Sequence, residues 1–258
     1  MSKSYVIANF KMNKVDKEVK EYVESFLPLV KDSPSQIILS VPALYVKTAC
    51  EMTRGSNVLI AGQNINENSF GAYTGEINAE MLSSVNANAV IVGHSERRNL
   101  FGESDNLVNK KILKALKSGL ICIFCFGESL FDKKNQLTEQ VLSKQLITAL
   151  SSIYGNELGH IIFAYEPVWA IGTGVTPTTS EIANAIKLIR KIITNLYDEK
   201  IANEASIIYG GSLNEQNVKE IAKIDGLNGV LVGGACLNAT NFANIVKNFD
   251  AVKKLKTK

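Results

Sequence analysis

Tyr5-Val6-Ile7-Ala8-Asn9-Phe10-Lys11-Met12-Asn13 is the stretch that decides the fold class. It opens as a short apolar run, closes on an amide, and turns through a lysine with no glycine. Comparable runs recur at residues 36–41, 58–63, 89–93, 120–125, 161–165, 206–209 and 229–232. Most are near-continuous in Val, Ile, Ala and Leu, as parallel strands covered on both faces should be. Between them lie helical patterns, among them 16–30, 106–118, 138–154, 179–196 and 215–224. Ser180-Glu181-Ile182 and Asn214-Glu215 mark the expected starts of the last two. Eight β/α alternations without a Pro/Gly/Ser-rich linker predict one domain over residues 1–258. An open, doubly wound sheet would place a Gly-rich turn directly after its first strand. Residues 9–13 contain none, so the expectation is an α/β fold, a single (β/α)8 barrel.

Composition narrows the function. The chain has 258 residues and a formal charge of +3, with acidic and basic residues interleaved. A nucleic-acid partner would need basic residues gathered in a patch or stripe, and none is expected. A small anionic substrate needs only a locally positive site. The first apolar run is broken by Asn9 and Lys11, too short for a signal-peptide core. No segment approaches the roughly twenty apolar residues of a membrane span. A cytoplasmic protein with no membrane partner is expected.

Cys122-Ile-Phe-Cys125 has the spacing of a redox or metal motif. It lies in an expected strand, however, where positions three apart point to opposite faces, so the thiols should not meet. His94 and His160 are the only histidines, which excludes a histidine-rich metal site. No cofactor and no metal are expected. Asn238-Ala239-Thr240 is a formal glycosylation sequon, expected to stay unmodified without an export signal.

Reacting groups in such a barrel sit at the C-terminal ends of strands. Those ends hold Asn9 and Lys11, then Gly93-His94-Ser95-Glu96, Tyr165-Glu166-Pro167, Tyr209-Gly210-Gly211-Ser212, and Gly233-Gly234-Ala235. Each has a bland reading when taken singly. A lysine can be a solvated charge, a histidine structural, and a Gly-Gly pair a tight turn. Together they suit one ligand. The two glycine turns fit the barrel's phosphate-binding position, because a residue without a Cβ lets the backbone approach an anion. Lys11 supplies a mobile positive charge for a phosphate or a developing oxyanion. With Glu166 and His94 added, the set holds a base and electrophiles but no hydroxyl or thiol nucleophile paired with a base. Proton abstraction next to a carbonyl suits it better than acyl transfer.

The chain also resembles a known family at a series of motifs. These are Asn9-Phe10-Lys11-Met12-Asn13, Gly71-Ala72-Tyr73-Thr74-Gly75-Glu76, Gly93-His94-Ser95-Glu96-Arg97-Arg98, Cys125-Phe126-Gly127-Glu128, the run from Ala164 through Glu166 to Gly174, Tyr209-Gly210-Gly211-Ser212 and Leu231-Val232-Gly233-Gly234-Ala235. In order and spacing they are similar to the triosephosphate isomerases, over nearly the whole chain. The resemblance implies a TIM barrel that interconverts dihydroxyacetone phosphate and D-glyceraldehyde 3-phosphate through an enediol(ate), in glycolysis and gluconeogenesis. The roles it implies are the family's own. Glu166 is the base, His94 a neutral imidazole polarising the carbonyl, Lys11 the oxyanion stabiliser, and Asn9 a positioning group. A helix opening at Ser95 would disfavour positive charge on His94. Glu96 lies beside the reacting groups, and an ion pair with a nearby Arg or Lys is an equally open reading of it. Substrate contacts are implied for Asn9, Lys11, Gly172, Ser212, Gly233 and Gly234.

Residues 167–174 read as a lid, with Pro167 stiffening one end, Gly172 and Gly174 freeing the other, and an apolar middle to exclude water. The loop at 64–75 resembles the family's interdigitating dimer loop, with Thr74 near its tip reaching the partner's site. A homodimer is expected, in which the partner braces Lys11 and His94 on their loops. Departures from the family pattern are Phe10 for a usual Trp, Lys14 for a common Gly, Cys236 for a usual Ser, and Ser129-Leu130-Phe131 for a more polar run. A Schiff-base aldolase is a rival, but it needs a desolvated lysine inside the barrel. A catalytically silent relative that binds sugar phosphates or adheres to surfaces is the other alternative.

Overall fold

The computed structural model describes residues 3–171 and 176–256, and in them eight parallel strands pair in chain order. They are β1 (Tyr5–Asn9), β2 (Gln36–Ser40), β3 (Val58–Gly62), β4 (Ala89–Val92), β5 (Ile121–Phe126), β6 (Ile161–Tyr165), β7 (Ser206–Tyr209) and β8 (Gly229–Val232). β8 pairs back onto β1, with Tyr5 opposite Gly229 and Ile7 opposite Leu231, so the sheet closes into a barrel. The helices of the outer layer are α1 (Asp16–Val30), α2 (Val46–Met52), α3 (Ala79–Ser84), α4 (Ser95–Phe101), α5 (Asp105–Lys117), α6 (Leu130–Lys134), α7 (Thr138–Ala149), α8 (Thr179–Leu196), α9 (Glu199–Glu204), α10 (Val218–Ala222) and α11 (Ala239–Lys256).

Strand alternation divides the apolar residues between two cores. Tyr5, Ile7, Ile38, Ile91, Ile123 and Ile162 belong to the barrel interior. Their neighbours Val6, Ile37, Val90, Phe124 and Phe163 join the larger core under the helices. A fully buried Val, Ile, Leu or Phe contributes roughly 1.5–3 kcal/mol, so both layers hold the register. A one-residue slip of any strand would exchange the two sets. The same alternation settles the CxxC spacing. Cys125 lies in the interior and Cys122 in the outer core, both fully buried as free thiols.

Two helix starts differ from expectation. The cap of α8 is Thr178, not Ser180: Thr178 Oγ1 accepts from the Glu181 N–H at 3.2 Å and Glu181 Oε2 accepts from the Thr178 N–H at 2.7 Å. That reciprocal pair satisfies two otherwise orphaned donors, which Ser180 two residues later would leave open. At residues 214–217 the Asn214 side chain instead accepts from the N–H groups of Gln216 and Asn217. This local turn delays α10 to Val218. The pattern at 138–154 stops as a helix at Ala149, after which Ser152 takes φ 61°.

Candidate active site

The inward positions of the strands run straight into the mouth of the barrel. Ile7 leads to Asn9, Ala164 to Glu166, Ile208 to Gly210 and Leu231 to Gly233, each two residues further along one face. A cleft of about 310 Å³ opens there, with Asn9, Lys11, His94, Glu166, Ser212 and Gly233 among its lining residues. Gly234 lines it too. Gly172 lies outside the described residues, as do Thr173 and Gly174.

Glu166 is 2% exposed, and Cys125 of the interior lies against it. Burial and this carboxylate push the Cys125 thiol well above its ordinary range, so it stays protonated. Glu166 Oε2 accepts from the Ser95 N–H at 3.2 Å, and its Oε1 stands 3.4 Å from His94 Nε2. His94 is not on a loop but is the N-cap of α4, where Nδ1 accepts the Glu96 N–H at 3.2 Å. A ring nitrogen that accepts carries no proton, so the N–H of the neutral ring is at Nε2, aimed at the cleft.

Lys11 holds its place by backbone locks and by charge. It has φ 52°, a conformation that costs energy for a residue with a side chain. Its N–H donates to Asn9 Oδ1 at 2.9 Å and its carbonyl accepts from Gln63 Nε2 at 3.0 Å. Its ammonium meets Glu96 Oε1 at 2.6 Å. Of the two readings of Glu96, the ion pair is the contact observed. Glu96 lines a second cleft beside the first and not the glycine-walled one.

Across the cleft the glycine turns leave room that side chains would take. A Cβ on Gly210 would come within 2.9 Å of Glu166 Cγ, and one on Gly233 would rest 3.5 Å from Lys11 Cε. The Ser212 hydroxyl donates to the Ala170 carbonyl at 2.5 Å, so it ties the glycine turn to the segment after Glu166. That segment rides on the end of β5. The Glu166 N–H donates to the Phe126 carbonyl at 2.8 Å and the Val168 N–H to the Glu128 carbonyl at 3.0 Å. The approach is so close that a Cβ on Gly127 would lie 1.9 Å from the Glu166 carbonyl oxygen. Trp169 donates from Nε1 to Glu128 Oε1 at 2.8 Å, and Tyr165 adds its hydroxyl to the same carboxylate at 3.1 Å. Burial pushes the Glu128 carboxyl up, only partly offset by these donors.

Three of the four departures from the family pattern, Phe10, Lys14 and Cys236, meet around Tyr22, whereas Ser129-Leu130-Phe131 opens α6. Phe10 is fully buried, edge-on to Tyr22 at 4.7 Å, and Tyr22 donates its hydroxyl to the Cys236 carbonyl at 2.8 Å. Lys14 takes φ 72°, which a glycine would adopt freely, and lays its ammonium over the Tyr22 ring at 5.0 Å. Burial pushes the Cys236 thiol up to about 12, so it is inert. The loop carrying Thr74 is tied down by two cations of α5. Lys111 reaches Asn64 Oδ1 at 2.8 Å and Glu103 at 2.5 Å, while Lys114 binds Ser69 and Glu80. Thr74 itself is exposed.

Gln63, Glu128 and the α5 lysines do not stand out in the sequence as parts of this assembly. Only Glu128 has a local signal, its place directly after the strand-end glycine. Among the described residues, no group of three or more His, Cys, Asp or Glu is placed to hold a metal ion.

Comparison with known proteins agrees with this geometry. The triosephosphate isomerase family model matches residues 4–249. A triosephosphate isomerase of Geotalea uraniireducens is 41% identical over 248 residues, covering 96% of this chain and 99% of that protein. One from Clostridium tetani is 40% identical over 247 residues, 95% of this chain and 96% of the relative. The crystal structure of the Bartonella henselae triosephosphate isomerase superposes with a TM-score of 0.87 at 32% identity, covering 96% of this chain and 99% of the other.

Proposed function

The chain belongs to the triosephosphate isomerase family and is an intramolecular isomerase of dihydroxyacetone phosphate and D-glyceraldehyde 3-phosphate, a glycolytic enzyme; from that premise we propose how its residues divide the work. Glu166 takes a proton from C1 of dihydroxyacetone phosphate. The C–H electron pair moves into the C1–C2 bond, and the carbonyl π pair moves onto oxygen. His94, donating from Nε2, and the Lys11 ammonium stabilise the enediolate that results. A proton passes from His94 Nε2 to the C2 oxygen and the C1 hydroxyl gives its own proton back to the ring; the C1 oxygen pair then closes the new carbonyl as Glu166 returns its proton to C2. The phosphate rests against residues 210–212 and 233–234, with Asn9 and Ser212 beside it, and Gly172 is assigned to the same role. Glu96 acts by orienting Lys11. No cofactor takes part, and the whole chain works as one barrel domain.

The observation that carries this reading is the buried Glu166 carboxylate 3.4 Å from His94 Nε2, with Lys11 and the glycine turns around one cleft. Proton transfer through a carboxylate predicts exchange with solvent. Turnover in deuterium oxide should yield triose phosphate labelled at the carbon that received the proton. Product and recovered substrate that both stay unlabelled after many interconversions would indicate a hydride shift and exclude the base.

The active form is proposed to be a homodimer in the cytoplasm, with neither nucleic acid nor membrane as partner. Met12 is 97% exposed, and Leu44, Phe70, Tyr73 and Phe101 also face outward, an apolar surface suited to a second copy. The second cleft, about 390 Å³, lies between Met12, Glu76 and Phe101 and shares Lys11 and His94 with the first. It offers a place for the partner's Thr74. Lys11 and His94 are already bonded within their own chain, so the partner's contribution is to exclude water and fix their rotamers. Among the described residues no helix is long and apolar enough to cross a membrane. Specific activity should fall on dilution in step with dissociation followed by sedimentation. A sedimenting monomer with undiminished specific activity would refute the dimer requirement.

A further inference from the structure

Lys133 makes two contacts that join separate parts of the site. Its ammonium stands 3.4 Å over the centroid of the Trp169 ring and 2.6 Å from Glu181 Oε1. Trp169 is three residues past Glu166, in the turn Val168–Ala170. Glu181 closes the capping box with Thr178, where α8 begins. One side chain of α6 therefore clips the turn that leaves Glu166 to the start of the next helix. The Trp169 indole N–H is held by Glu128. The Lys133 hydrogen bond, with the Thr178 N–H second, holds the Glu181 carboxyl down to about 2, so it stays ionised at neutral pH.

In this arrangement Glu166 is turned to the Ser95 N–H at 3.2 Å, a hydrogen bond it must give up to face a substrate carbon. Trp169, three residues further along the same segment, is what Lys133 grips. The geometry points to Lys133 as a positioning residue that acts through Trp169 and Glu181 to hold Glu166 in its Ser95-bonded orientation. The proposal rests on the assignment of Glu166 as the base. A residue that stabilises the resting orientation opposes any ligand that needs the other one, by the free-energy difference it contributes. Cation–π contacts and half-exposed ion pairs are individually modest, which sets the effect at about threefold to tenfold.

Lys133→Met keeps the alkyl stem on the indole and removes both charged contacts. KM for the triose phosphate, whose reacting carbon needs the other orientation, should fall about threefold to tenfold with kcat little changed, while inorganic phosphate, held by the glycine turns, should bind as in wild type. The chain's single tryptophan allows a direct readout: 5-fluorotryptophan at Trp169 should show its resting 19F environment depopulated. Lys133→Arg, which stacks and pairs, should restore wild-type values, and Glu181→Gln should move them in the same direction by less. A merely structural lysine would leave KM unchanged or raise it. An unchanged or raised KM in a Lys133→Met protein that melts normally overturns the proposal. The 19F spectrum needs no turnover, so an inactive wild-type enzyme would sink the assignment of Glu166, whereas an unchanged spectrum in an active Lys133→Met enzyme would sink this proposal alone.

Discussion

Glu166→Gln should lower kcat by about 10³-fold or more while leaving the barrel folded, since a positioned general base contributes roughly 10²–10⁴. The substitution is nearly isosteric. The amide oxygen still accepts the Ser95 N–H, which now meets Oε2 at 3.2 Å, and the Cγ that packs on Gly210 is unchanged. Melting temperature should therefore stay close to wild type, and affinity for inorganic phosphate should change little because the glycine turns are untouched. Loss of turnover with phosphate binding retained separates chemistry from folding. About 4 kcal/mol of transition-state stabilisation corresponds to that loss. Glu166→Asp tests geometry with the chemistry kept. Withdrawing the carboxylate by one methylene should cost about 10²-fold, the penalty of roughly an ångström of misplacement. A Glu166→Gln enzyme with wild-type kcat in the coupled assay would remove Glu166 from the mechanism.

Much of this site is legible before any coordinates. Period-two alternation places Asn9, Glu166, Gly210 and Gly233 two residues beyond inward apolar positions, so a barrel brings them to one mouth. What the alternation does not contain is how loops return. Gln63 reaches the Lys11 carbonyl from 52 positions away, and Lys133 reaches both Trp169 and Glu181 from a separate short helix. Such contacts depend on where a turn deposits a side chain, for which no periodic signal exists. Helix starts are ambiguous in sequence for a related reason. Thr178 and Ser180 are both competent caps, and only the reciprocal reach of Glu181 chooses between them. Lys14 shows the opposite case. A lysine where the family commonly has glycine looks like a defect in sequence. The fold keeps the left-handed backbone and recovers part of its cost by stacking the ammonium on Phe10 and Tyr22.

Lys11→Met should cost at least about 10³-fold in kcat/KM, because one charge serves both the bound dianion and the enediolate. A charged hydrogen bond is worth about 1.5–3 kcal/mol, so inorganic phosphate should bind roughly 10- to 100-fold more weakly. Loss of a preorganised oxyanion donor removes a further 10²–10³ or so from kcat. Both KM and kcat therefore move, in contrast to Glu166→Gln, where kcat alone should. Methionine keeps the stem that crosses Gly233, and the backbone locks through Asn9 and Gln63 do not involve the side chain. The φ of 52° is therefore retained at similar cost. Glu96 loses its partner, but its side chain is 43% exposed and water replaces the ammonium, so stability should change by less than about 1 kcal/mol. The same exposure gives a second test of Glu96. If it only orients Lys11, Glu96→Gln should lower kcat/KM in wild type and have little further effect in the Lys11→Met background. Full additivity of the two losses would mean that Glu96 acts on the substrate independently of Lys11.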